Sequence, residues 1–288
     1  MPRKSAKPEV IEWIFLHRKY DVATATLTDP VVTMDDINEA IRITGAKLKL
    51  DGNRANFWKD ITRGGDASLN RYWPPAVFAL GFVGADAIGY GEGAVFMFVP
   101  VPAGQAVAYV SGIVFNSQLP VIKLQSLSMP QAMKELGRPG ETWHAQVADR
   151  LNVVSSFFAL CSPRNVPPRN VHEVNFLQTN IKLGKGESDA AFSLLADDGQ
   201  WLVSAEVKGR TEQFHLPQIA RAVYELEQAV RASSATMNIS GVIPLGIKVV
   251  DKSVIWVVEF APVATRNAPL VKVAEGVFEL VPHVPGVE

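Results

Sequence analysis

The chain has a single cysteine, Cys161, among its 288 residues. That excludes an internal disulfide and a cysteine-rich zinc site, and it fits a reducing cytoplasm. Long hydrophobic runs are missing too. The longest apolar stretch, Ala94 to Val101, is interrupted by Pro100 and followed by Pro102, which makes it too short to cross a bilayer. Residues 1–8 lack the apolar centre of a signal peptide. His17, His144, His172, His215 and His283 show no paired spacing of the kind that binds a metal. The glycine-rich stretch at 89–93 has no following Lys-Ser or Lys-Thr, so it reads as a turn rather than a phosphate loop. Positive charge is not in excess: the formal net charge is -1. A nucleic-acid binder is therefore not announced by charge and would have to carry a local basic cleft on a neutral body.

What remains is an ordinary globular composition. Hydrophobic residues make up 48% and charged residues 20%, enough apolar material for one large domain or two ordinary ones, and an argument against global disorder. The first part, about 8–75, reads as helical. Val10 to Leu16 is amphipathic. Thr33 followed by Asp36 marks an N-cap, with an acid at the third helical position, and Gly45 ends that helix. A third helix is expected over Ala55–Thr62. Three short helices with a turn between the second and third suit a helix-turn-helix or winged-helix module. Lys47, Lys49, Arg54, Lys59 and Arg63 gather there. They read either as phosphate and base contacts or as the solvated charged face of a helical cap. Residues 76–126 are rich in glycine, valine and aromatics. Strands are expected at Val77–Phe82, Ala94–Val101, Ala106–Phe115 and Val121–Gln125. A connector with a short helix fills 126–140.

The remaining half, from about residue 141, carries the most informative pattern. The periodicity predicts a helix over Thr142–Leu160, with Val147, Leu151, Val154 and Phe158 on one face. A long strand is expected at Val171–Leu183. A hairpin over 186–208 turns at Asp197, Asp198 and Gly199. A helix over Leu216–Ala232 and strands at Ile239–Val250 and Ser253–Phe260 follow. Glu206 and Lys208, two apart, share one face of their strand, and Asp189 near the far end of the partner strand can lie across from them. Two carboxylates and an ammonium in one patch suit a hard divalent cation and a polarised water beside a phosphate. A lone acid at the mouth of the apolar run Ala190–Phe192 needs a partner or a metal.

An Asp, a hairpin turn, Glu-x-Lys at 206–208 and a following helix with Gln218 resemble the PD-(D/E)XK nuclease superfamily, and within it type II restriction endonucleases most. The resemblance covers about residues 140–262 and is strongest over 186–224. Ser188 stands where the superfamily's proline would be, and no clear carboxylate is seen on the inward face of the first helix. The resemblance implies an α/β fold with a restriction-endonuclease-like αβββαβ core over residues 131–288. It also implies an N-terminal DNA-recognition region over residues 1–130, helical at 8–75 and β-rich at 76–126. Asp189 and Glu206 would hold Mg2+, with the carbonyl of Val207 as a further ligand. Lys208 would orient water or steady the phosphorus, and Glu187 and Gln218 would support them. The implied activity is Mg2+-dependent, site-specific hydrolysis of double-stranded DNA by a cytoplasmic homodimer, with a cognate DNA methyltransferase in the same system. The alternatives are a junction-resolvase-like repair or recombination nuclease, and a non-catalytic DNA-binding regulator on the same fold.

Overall fold

A computed structural model describes residues 5–48, 55–62, 66–87, 90, 93–166, 170–183, 186–233, 238–265 and 268–288. The chain is mixed α/β and divides into two compact units: residues 1–113 with 211–215, and residues 114–210 with 216–288. Among the described residues no helix is long and apolar enough to cross a membrane.

The first unit begins with α1 (Lys7–Ile14), which runs into a π turn at Phe15–Lys19. The short strands β1 (Tyr20–Asp21) and β2 (Thr26–Leu27) form a ribbon. Then come β3 (Val31–Thr33), α2 (Met34–Thr44), α3 (Ala55–Thr62), α4 (Asp66–Arg71), α5 (Pro75–Ala79), β4 (Phe82–Ala85), β5 (Ala94–Pro100) and β6 (Tyr109–Val110). The expected caps of α2 are present. Thr33 accepts from the Asp36 amide, the Asp36 carboxylate accepts from the Thr33 amide, and Gly45 closes the helix in the left-handed region at φ 66°. The sheet runs β3-β5-β4-β6. Its core includes Trp58 stacked on Phe96 at 4.6 Å. Gly84 makes room for this, since a Cβ there would meet the Trp58 ring at 2.2 Å.

Two expectations fail in this unit. Residues 77–82 were expected to be a strand, but the chain there forms α5: Pro74 and Pro75 set the φ of a helix start, and the strand begins only at Phe82. The strand expected over 106–115 shrinks to β6, Tyr109–Val110. Beside it Asp86, nearly buried, accepts from Trp58 Nε1 at 3.0 Å and from the Tyr109 hydroxyl at 2.8 Å, and lies 2.6 Å from His215 Nδ1. Burial, reinforced by the Asp86 charge, holds the Tyr109 hydroxyl well above its ordinary pKa. Tyr109 also donates to the Phe214 carbonyl, so residues 211–215 are tied into this unit by buried polar bonds.

The second unit contains β7 (Val121–Gln125), α6 (Gln131–Leu136), α7 (Glu141–Arg150), α8 (Val153–Leu160), β8 (Val171–Leu183), β9 (Gly186–Ala196), β10 (Gly199–Lys208), α9 (Leu216–Ala232), β11 (Ile239–Asp251), β12 (Val254–Phe260) and β13 (Lys272–Val281). The seven strands lie in the order β7-β13-β12-β11-β10-β9-β8. β8, β9 and β10 are antiparallel neighbours. The chain then crosses over through α9 to place β11 parallel to β10. Helices α7 and α8 bury Trp143, Val147, Leu151, Val154, Phe157 and Phe158 with Val203, Ala205 and Val207 of β10 in one core. On α9, Leu216, Ile219, Ala220, Val223, Leu226 and Val230 form the buried stripe expected of an amphipathic helix, and they lie outside that core.

The helix read over 142–160 is two helices. Asn152 sits in the left-handed region at φ 57° and breaks the run; Asn tolerates that conformation better than most residues. The boundary expected at residue 130 falls earlier, because β7 pairs with β13 and belongs to this sheet. The strand β13 was not anticipated. Gly186, at the first position of β9, lets α9 approach closely: a Cβ there would lie 2.6 Å from Leu226 Cγ and 2.8 Å from the Ala222 carbonyl. Gly186→Ala is therefore expected to destabilise the protein by about 1–3 kcal/mol. Urea denaturation checks this, and an unchanged midpoint would mean that α9 does not press on this strand.

Candidate functional site

The hairpin β9–β10 is held in a register that pairs Ala205 with Ala190 and Val203 with Phe192. The ladder ends at the Ala205–Ala190 pair, and Glu206 and Asp189 are the next residues on the two strands, where the alternation of the pleat places them toward the same side. Lys208, two along from Glu206, shares the face. The side chains do converge. Lys208 Nζ lies 2.8 Å from Glu206 Oε1 and 3.5 Å from Asp189 Oδ2, and donates to the Val207 carbonyl at 3.0 Å. Asp189 Oδ2 also accepts from the Val207 amide at 2.9 Å. A fourth oxygen comes from outside the hairpin: Glu141, the first residue of α7, places Oε1 2.5 Å from Lys208 Nζ.

Glu141 is the residue that the sequence reading missed. The helix was expected to begin at Thr142, which left Glu141 ahead of it and no carboxylate facing the hairpin. With Glu141 and Lys208 67 positions apart in the chain, no local pattern links them. Only the packing of α7 on the sheet brings them together. That packing is tight around the next turn. Trp143 Nε1 donates to the Pro285 carbonyl, and a Cβ at Gly137 or Gly286 would lie 2.3 Å or 2.8 Å from the Trp143 indole.

The surroundings are poorly solvated: the side chains of Glu206, Lys208 and Asp189 are 10%, 13% and 21% exposed. Burial, with the nearby charge of Glu206, pushes Asp189 up to about 6, although Lys208 and the Val207 amide pull the other way. Burial alone would lower Lys208. The charges of Glu206 and Asp189, with the bond to Glu141, outweigh it and hold the ammonium above its usual value. The cluster is thus a fixed cation surrounded by four oxygens.

Glu187 and Gln218 are not drawn in. Glu187 is exposed and pairs across the ladder with Lys182 at 3.2 Å. Gln218 stands half-buried in the first turn of α9, without a hydrogen bond to the cluster. Of the basic residues, Lys47 is exposed just after α2 and Lys59 is half-buried on α3, whereas Lys49, Arg54 and Arg63 lie outside the described residues. Cys161 is half-buried, and burial raises its thiol, which does not favour a reactive thiolate.

Among the described residues no group of three or more His, Cys, Asp or Glu side chains is arranged to hold a metal. The oxygens around Lys208 are of the hard type that Mg2+ takes: two carboxylates from the hairpin and a backbone carbonyl, all reaching one cation. Mg2+ ordinarily takes one or two carboxylates and keeps several waters, so these donor types are ones it accepts, while here their centre is taken by the Lys208 ammonium. No family model, curated protein or solved structure matches the chain.

Proposed function

We propose that this chain is a Mg2+-dependent DNA endonuclease of the PD-(D/E)XK type, acting as a type II restriction enzyme. The observation that carries the reading is the gathering of Asp189, Glu206 and the Val207 carbonyl around Lys208 at the end of an antiparallel hairpin. The succession of elements supports it: helix α7–α8, three antiparallel strands, the crossover helix α9 and the parallel strand β11 follow the αβββαβ order that the resemblance implies.

Asp189 and Glu206 would hold the ion, with Val207 adding its carbonyl. When bound, Mg2+ would supply an activated water and neutralise charge on the phosphate. Lys208, no longer engaged by the same oxygens, would donate to a phosphate oxygen or hold the attacking water in line. Glu141 keeps the ammonium anchored on the α7 side. In the reaction a water oxygen bonds to phosphorus and the bond from phosphorus to the 3′ oxygen breaks. One water proton passes to solvent, the departing oxygen takes a proton back, and the products are a 5′-phosphate and a 3′-hydroxyl. The first unit would contribute DNA contacts through its basic residues, with Lys47 and Lys59 among the described ones. A homodimer would match a two-fold symmetric DNA site, and a cognate methyltransferase would protect host DNA.

Incubating the purified protein with plasmid DNA and Mg2+ tests this directly. Discrete bands are expected. Cuts only at branched structures would move the protein to the resolvase-like alternative. Binding without cleavage in either Mg2+ or Mn2+ would make it a regulator and remove the enzymatic reading.

A further inference from the structure

An open groove of about 610 Å3 runs between α6 and the start of α7. That size falls in the range of small-ligand sites. Its lining includes Leu136, Arg138, Trp143 and Gln146, and also Glu141, the residue whose carboxylate bonds Lys208. The groove and the oxygen cluster therefore share a wall. Leu136 is 73% exposed and offers an apolar side chain at the groove. Trp143 is nearly buried and fixed by its bond to Pro285 and by the close approach of Gly137 and Gly286. The guanidinium of Arg138 is anchored on the Glu135 and Gly137 carbonyls, which sets a positive charge at the rim. Gln146 is exposed on the α7 face, and its amide offers both donors and an acceptor.

We infer that this groove takes the nucleoside next to the scissile phosphate, turned out of the base stack. This rests on the nuclease reading above and extends it. A phosphate held at Lys208 would have its neighbouring sugar and base one nucleotide step away, and Glu141, which borders both the cluster and the groove, makes the groove the adjoining space. The apolar surface of a base matches the exposed Leu136 side chain and the small part of Trp143 that reaches the groove. The hydrogen-bonding edge of the base matches the Gln146 amide, and the next phosphate along the strand matches the Arg138 guanidinium. No other ligand is delivered there by a substrate already bound at the cluster.

The test uses the cut site mapped on plasmid DNA and short duplexes built around it. An abasic nucleotide is placed in turn on either side of the scissile phosphate, and each duplex is cut by the wild-type protein and by Gln146→Trp, which fills the groove from an exposed helix position. At one of the two places the missing base is expected to raise KM roughly tenfold for the wild-type protein. Gln146→Trp should show a similar rise on intact DNA, and no further rise on the abasic duplex. Equal cutting of intact DNA by both proteins, or an abasic penalty that is the same in both, would overturn the groove assignment and leave the nuclease reading standing. A wild-type protein that cuts no DNA would remove both.

Discussion

On the proposed nuclease reading, Asp189→Asn is expected to abolish DNA cleavage and, in the absence of metal, to make the protein more stable at pH 8. The two effects have one cause. Burial and the neighbouring Glu206 raise Asp189 to about 6, against about 3.9 for an unperturbed aspartate. A carboxyl whose folded-state pKa is raised stabilises the fold fully below its unfolded value, and that contribution is lost as pH climbs through the folded value. Holding the charged form at pH 8 therefore costs up to about 3 kcal/mol, from about two units at 1.36 kcal/mol each. Asn keeps an acceptor for the Val207 amide and carries no charge. Lys208 does not shift the window, because its raised value lies far above it and its stabilising effect is constant from pH 4 to 8. Urea denaturation in EDTA at pH 4, 6 and 8 measures the difference: near zero at pH 4 and growing in favour of the variant toward pH 8. The same pH dependence in both proteins would mean that Asp189 is not held under strain. Such a trade of stability for activity is common where a site must keep charges that the fold disfavours.

Glu259→Ala is expected to be the most damaging single change outside the site. Glu259, on β12, is 1% exposed; it accepts from Arg164 Nε at 2.9 Å and from the Ser162 hydroxyl at 2.6 Å. Arg164 is itself largely covered and lies over the Trp201 ring at 4.4 Å. Removing the carboxylate leaves a guanidinium and a buried hydroxyl without their acceptor and opens a void beside the end of β12. Loss of one partner from a buried pair costs about 3–5 kcal/mol. Arg164→Ala should also be harmful, since the nearly buried carboxylate would keep only the Ser162 hydroxyl as a donor. Thermal unfolding of the two variants and of the double variant gives the coupling. A double variant no more stable than the sum of the singles would show that the pair acts independently.

Much of the architecture was legible where local chemistry decides it. The turn at Asp197–Gly199 set the hairpin, and the register that followed brought Glu206 and Asp189 to the same end of it, one residue past the last ladder pair. The capping box at Thr33 and Asp36 with Gly45 fixed α2, and the apolar stripe fixed α9 over Leu216–Ala232. Where local signals conflict, the reading went wrong. Val147, Leu151, Val154 and Phe158 keep helical spacing across a break that only Asn152 marks. Val77 and Phe78 look like strand residues, but the two prolines before them start a helix. β13, with Ala274 and Gly276 in mid-strand, carries a weak strand signal and is recruited by its neighbours. Glu141 was invisible for a different reason: its partner is chosen by how α7 lies on the sheet, and spacing carries no trace of that.

The pairing of β7 with β13 bears on how the protein is made. Ser126, just after β7, bonds the carbonyl of Pro282, 156 positions later. At ordinary rates of synthesis, roughly 10–30 s separate the emergence of those two segments from the ribosome. For that interval Val121 to Gln125 have no strand to lie against, so a nascent chain must keep an adhesive ribbon from the wrong neighbours until its distant mate arrives.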